Sequence, residues 1–252
     1  MSDRINAVDI EARQERRWRL GLLIAFALLC YALRDLNWIV VWDSAPYLLR
    51  ALGASWALAI AAILLGLLLA IPLAAARVYG SRWLSTLSAG FVELIRSTPE
   101  LMLMFWIFFA LPLVFGGAVS KWWSGTIALT LLAAAYLAEV VRAGLQSVPR
   151  GQKEAAMSTG LSASQAFFQI LLPQAVKNMI PAFVGQIIMI FKTTSLVYVL
   201  GIVEFFRAIV NINSVEFASE PLYLAAAAVY FICCYALSLL IRRFDAKYVI
   251  YE

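Results

Sequence analysis

The chain has 252 residues, of which 63% are hydrophobic and 14% charged, with a mean hydropathy of +0.85. A soluble core of this length could not hide so much apolar surface from water, so the chain is an integral membrane protein. It has no histidine and no Gly-Lys pair, which excludes Ser-His-Asp and Cys-His catalysis, histidine metal sites and ATP hydrolysis at a P-loop.

Charge-free runs long enough to approach a span occupy residues 20–33, 51–76, 101–120, 122–138 and 221–241, and a sixth, 178–203, is interrupted only by Lys192. Residues 83–92 are also apolar, so the third span is expected to run from 83 to about 111 with polar residues in its middle. The expected fold is all-α, with about six transmembrane helices. The first run has a signal-like basic flank of Arg13, Arg16, Arg17 and Arg19. However, Asp3, Asp9, Glu11 and Glu15 lie among these, and no A-x-A site follows, so a retained helix is expected. The three cysteines, Cys30, Cys233 and Cys234, sit in apolar runs without C-x-x-C spacing and read as apolar fillers.

Orientation follows from counting Lys and Arg in the connections. With the N-terminus inside, 14 fall on the cytoplasmic side and four outside, while Arg96 and Lys192 lie within spans. Both termini are therefore expected in the cytoplasm. The placement also accounts for the net charge of +5 without a nucleic-acid partner.

The longest internal cytoplasmic segment is 142–177. Pro149 and Gly151 break the descending helix, a short helix fits 152–159, and Gly160 can take a left-handed position at its end. Ser162 and Gln165 have capping-box spacing, so a second helix is expected to start there and run toward the membrane past Pro173. The spacing predicts a helical hairpin on the cytoplasmic face.

In this hairpin Glu154, Ala155 and Ala156, then Gly160, then Ile170, Leu172 and Pro173 match the E-A-A-x-x-x-G-(x9)-I-x-L-P signature of ABC importer permeases at all seven fixed positions. Residues 93–99 (ELIRSTP), 139–147 (EVVRAGLQS) and 192–196 (KTTSL) resemble stretches of the polar amino acid permeases, the histidine, glutamine and glutamate/aspartate type. Residues 194–206 are most similar to glutamate/aspartate permease subunits. Ser97, Glu100 and Thr193 depart from the usual residues of those stretches.

The resemblance implies a type I ABC importer transmembrane domain. The permease core would span 48–244 with its coupling loop at 150–173, preceded by a tail (1–17) and an additional helix (18–35) and followed by a tail (245–252). It also implies a bacterial inner-membrane location. The implied partners are a dimer of ATP-binding cassette ATPase subunits, a second permease subunit (homologous or identical) and an extracytoplasmic solute-binding protein. ATP and Mg would be held by the ATPase, with no cofactor on this chain and no catalysis by it. The hairpin would dock in a groove on the ATPase, with Ala155 and Ala156 permitting close approach, Glu154 offering a charge and Gly160 turning the chain.

Charged groups within spans are costly and usually functional. Glu93, Arg96 and Glu100 are spaced to share one helix face, with Pro99 as a kink. They read either as part of a translocation pathway or as a self-neutralising cluster. Lys192, Thr194 and Ser195 are the second candidate for the pathway, unless the hydroxyls bond their own helix carbonyls. Because Arg96 is hemmed by two acids, Lys192 is the group expected to meet a substrate carboxylate. Glu139 and Arg142, at i,i+3 near the cytoplasmic boundary, read as a structural pair or inner gate. The rival function is an intramembrane enzyme using Glu93, Glu100 and Glu139, and a third is a passive channel or anchor. No nucleophile–base pair supports the enzyme, and neither rival needs a docking loop.

Overall fold

The computed structural model describes residues 18–21, 31 and 33–248. The expected first span, the N-terminal tail and the last residues of the C-terminal tail lie wholly or largely outside them. The described residues form helices: α1 (Ile39–Asp43), α2 (Ala45–Tyr79), α3 (Arg82–Ser97), α4 (Glu100–Phe115), α5 (Lys121–Ser147), α6 (Arg150–Ser158), α7 (Ala163–Ala166), α8 (Leu172–Thr193), α9 (Phe205–Glu216) and α10 (Ser219–Tyr248). A π-helical turn, Phe167–Leu171, joins α7 to α8, and a 3₁₀ segment, Thr194–Leu200, continues α8. Among the described residues, four helical runs are long and apolar enough to cross a bilayer: Ala45–Tyr79, Lys121–Ser147, Ala163–Leu200 and Ser219–Leu239. The bent α3–α4 pair makes a fifth if it counts as one span.

The central contact is α2 against α5. Ala59, Ala62, Gly66, Ala70 and Ala74 form a buried ridge on α2, and α5 answers with Ala128, Ala133, Ala134 and Ala138. A Cβ on Gly66 would sit 2.6 Å from that of Ala133. In lipid no hydrophobic drive holds helices together, so close backbone approach through small residues supplies dispersion contact instead. Leu58, Val92, Met104, Leu132 and Ile190 complete this core, and Trp56 stacks on Phe191 at 4.3 Å to bring in α8.

The expected continuous segment 83–111 is instead two helices meeting at 109°. Thr98 precedes a proline and is held extended (φ −89°, ψ 132°), which stops α3. Its hydroxyl donates back to Leu94 O at 2.7 Å, and α4 restarts after Pro99. Glu93 and Arg96 thus lie on one helix and Glu100 on another, so the three do not share a helix face.

The expected fifth span also starts earlier. The Ala163–Leu200 run is helical from the hairpin to its far end, a 38-residue rod. Pro173 brings no N–H to the ladder and crowds the preceding turn, and the widened π turn directly before it takes up that misfit. Tyr79, at the end of α2, packs edge-on against Phe167 of the π turn, with centroids 6.1 Å apart. The ends of α2, α5 and the start of α8 therefore meet at the hairpin end of the bundle.

On the positive-inside count that end is expected to face the cytoplasm. A reporter fused after Arg82 or Arg150 is expected to read as cytoplasmic, and one at Lys121 or Ser214 as extracytoplasmic. A cytoplasmic signal at Ser214 would overturn this topology.

Candidate functional site: coupling hairpin and polar cleft

The hairpin forms as its local signals require. Helix α6 begins after Pro149, and Gly160 follows it at φ +83°, donating its N–H to Met157 O at 3.0 Å. Both capping-box bonds are made: Gln165 N donates to Ser162 Oγ (3.3 Å) and Ser162 N to Gln165 Oε1 (2.9 Å). The hairpin is braced against α8 by Gln174 Nε2, which donates to Gln152 Oε1 of α6 (3.4 Å), and α8 is tied to the end of α5 by Asn178 Nδ2 donating to Ser147 Oγ (2.8 Å).

Glu154 and Ala155 are exposed on the outer face of α6, Ile170 and Leu172 are half-buried, and Pro173 is exposed. Ala156 departs from expectation. At 7% exposure it packs against its own chain, so its small size seats α6 on the hairpin and does not open a surface to a partner.

Above the hairpin, Glu139 of α5 is the centre of an arginine cluster. Arg142 donates to Glu139 Oε2 from Nε (3.0 Å) and Nη2 (2.7 Å), and Arg77 of α2 bonds Oε1. Arg96 of α3 approaches Oε1 at 3.8 Å and stands over the Tyr136 ring, 5.7 Å from its centroid. The expected Glu139–Arg142 pair is present, but Arg77 and Arg96 arrive from other helices. A single carboxylate facing three guanidiniums leaves an excess of two positive charges.

Arg96 is therefore not neutralised by Glu93 and Glu100. Glu93 Oε1 accepts from Ser97 Oγ at 3.2 Å, and Glu100 lies beyond the bend. The premise for ranking Lys192 above Arg96 does not hold.

Arg96 and Glu139 line a cleft of about 360 Å³ together with Tyr136, Asn178 and Gln186. The Oε1 atom of Gln186 is buried and accepts no hydrogen bond among the described residues. The cleft thus offers a cationic fork, and one of its lining residues holds an unsatisfied acceptor below the surface.

Lys192, at the far end of α8, is exposed and forms no ion pair among the described residues. Its neighbours follow the stated alternative, in which the hydroxyls bond carbonyls of their own helix. Thr194 is fully buried with its hydroxyl on Phe191 O (2.7 Å), and Ser195 Oγ donates to Lys192 O (2.8 Å). The tight 3₁₀ turns bring these carbonyls within reach, so Thr194 in this structure presents nothing to a pathway.

Glu204 was not anticipated. It is fully buried between α2, α9 and α10, and it caps α9 by accepting from Phe206 N (2.9 Å), Arg207 N (2.7 Å) and Ser55 Oγ (3.1 Å). A lone acid in the apolar stretch 194–206 was the available signal.

Residues 62–250 match the family described as "Binding-protein-dependent transport system inner membrane component". The glutamate/aspartate import permease protein GltK of Escherichia coli O157:H7 is 31% identical over 214 residues, covering 82% of this chain and 96% of its own length. The probable glutamine ABC transporter permease protein GlnP of Bacillus subtilis is 41% identical over 167 residues, covering 65% of this chain and 76% of its own. Among solved structures, an amino acid ABC transporter crystallised with histidines superposes with a TM-score of 0.79 at 28% identity, covering 84% of this chain and 99% of that one. The helical bundle with its braced hairpin, and a family match across three quarters of the sequence, make this chain a member of the binding-protein-dependent transport family, a membrane permease subunit of an ABC importer.

Proposed function

We propose that the chain is one permease half of an ATP-driven importer of amino acids, and that its substrate is glutamate or aspartate. The polar cleft is the observation that carries the reading. An amino acid brings a carboxylate, which suits the planar guanidinium fork of Arg96, and an ammonium, for which the unsatisfied Gln186 Oε1 buried in the cleft wall is a latent acceptor. The excess positive charge around Glu139 favours a substrate with a second carboxylate, and the exposed Lys192 would meet such an anion at another point of its route. Asn178, in the cleft, and Lys192 are separated by fourteen residues, about 21 Å along the helix. Thr194 drops out of this pathway, and neither Glu93 nor Glu100 lines the cleft.

The exposed outer face of α6, with Glu154 and Ala155, is the surface offered to the ATPase, whose closure the 38-residue rod would carry toward Lys192. ATP and Mg belong to that ATPase. A solute-binding protein delivers substrate at the opposite end, and a second permease closes the pathway. Glutamine is the second reading, supported by the similarity to the Bacillus subtilis permease. Binding of each amino acid to the cognate solute-binding protein separates the two.

Arg96→Met is expected to raise the substrate concentration for half-maximal uptake by up to about fivefold, since the Arg96 side chain is 38% exposed and an ion pair open to water contributes about 1 kcal/mol at most. Lys192→Met is expected to change it less. Uptake over a range of glutamate concentrations, with basal ATPase activity as the check on assembly, makes the measurement. An unchanged concentration dependence in assembled Arg96→Met would remove Arg96 from the substrate pathway.

A further inference from the structure

Two contiguous cavities at the hairpin end have the shape and chemistry of an amphiphile. The larger, about 970 Å³, is a groove between α2, α5, the π turn and α8. Its wall is apolar, and much of it is open: Ile71 is 53% and Phe168 63% exposed. The smaller, about 460 Å³, shares Tyr79, Lys153 and Phe167 with the groove and adds Gln146 and Arg150.

No aspartate or glutamate lines either cavity, and Arg150 and Lys153 form no ion pair among the described residues. The α2 side of the groove runs from Leu67 to Tyr79, twelve residues or about 18 Å of helix. That is close to the depth of one leaflet's hydrocarbon, half of the roughly 30 Å core. The groove thus begins within one leaflet and ends at two cations beside the helix ends.

We propose that this is a binding site for an anionic phospholipid of the leaflet on the hairpin side. An acyl chain lies in the groove between Ile71 and Phe168, and the phosphate meets Arg150 and Lys153. Basic pockets between transmembrane helices recognise anionic headgroups in this way. The lipid would touch Phe167 and Phe168 of the π turn, the joint through which the hairpin is continuous with α8, so it would stiffen the connection that transmits ATPase closure. The proposal rests on the importer reading only for that consequence, not for binding.

The test uses the permease–ATPase complex reconstituted in vesicles of equal phosphatidylcholine and phosphatidylglycerol, then released into native mass spectrometry to identify retained lipid. Phosphatidylglycerol is expected to be retained over phosphatidylcholine. The Arg150→Gln/Lys153→Gln double variant is expected to lower that preference roughly 30-fold, the effect of removing two basic groups from an anionic headgroup. Because those residues lie on the hairpin and could impair docking, Ile71→Trp provides the second arm. It fills the groove without touching the charges and is expected to abolish retention of both lipids.

Equal retention of the two lipids by the wild type, or retention of neither, would overturn the proposal. So would phosphatidylglycerol held unchanged by either variant, or a cross-link from a cysteine at Val176 to another subunit. Retention is read without transport, so wild-type uptake with no retained lipid refutes this site alone, whereas failure to assemble with the ATPase refutes the importer reading.

Discussion

Glu139→Gln is expected to destabilise the assembled permease by about 3 kcal/mol, the cost of breaking a mostly buried ion pair from one side. The Glu139 side chain is 19% exposed, and its carboxylate takes bonds from Arg77 and Arg142 with Arg96 at 3.8 Å. Glutamine keeps an acceptor oxygen but no charge, so three guanidiniums from three helices would then face one another across a neutral amide. The expected readout is a lower melting temperature of the purified complex and less protein in the membrane. Removing one cation as well should return part of the loss, so Glu139→Gln/Arg77→Gln is expected to be more stable than Glu139→Gln alone. A double variant that loses the sum of its two single losses would show that the cluster is not electrostatically coupled.

The parts of this molecule that were legible in sequence are those whose physics is local. Pro149, Gly160 and the Ser162–Gln165 box fix the hairpin because each acts on backbone within four residues of itself, and all appear as expected. Hydropathy located the apolar runs because the bilayer imposes a length on each. The cleft was only half legible. The Glu139–Arg142 spacing is local, but Arg77 lies 62 residues before Glu139, and nothing in either neighbourhood specifies that encounter. The same limit misplaced Arg96. Its sequence neighbours Glu93 and Glu100 pointed to a local triad, whereas the bend at Thr98–Pro99 separated Glu100 and packing offered Arg96 to α5. The small-residue ridge Ala62, Gly66, Ala70, Ala74 had a readable four-residue period that marks the α2–α5 contact, though its partner helix did not follow from it. The π turn before Pro173 was not legible. A proline signals that the ladder must change there, but the choice between a kink and a widened turn depends on how Phe167 packs against Tyr79.

Gly160→Val is expected to abolish most uptake while leaving insertion in the membrane intact. Gly160 sits at φ +83° between α6 and α7, and a Cβ placed there would meet no atom within 4 Å. The penalty is therefore purely conformational. A left-handed backbone costs an ordinary L-residue roughly 1–2 kcal/mol, and a β-branched one more. Relief of that strain would rotate α6 away from the capping box at Ser162 and from the seat of Ala156, so the exposed Glu154–Ala155 face, the docking surface proposed for the ATPase, would no longer be held at a fixed angle. A penalty of this size shifts the hairpin population by about 5–30-fold, and coupled uptake should fall by a similar factor. Asparagine tolerates the left-handed region, so Gly160→Asn is expected to retain most activity, with Gly160→Ala between the two. That order, Asn above Ala above Val, separates backbone conformation from side-chain size, since Ala is the smallest of the three. The measurement is uptake together with substrate-stimulated ATPase activity in the reconstituted complex. Wild-type coupling in Gly160→Val would mean that the turn is not part of the lever, and the hairpin would then have to dock through contacts indifferent to the angle of α6.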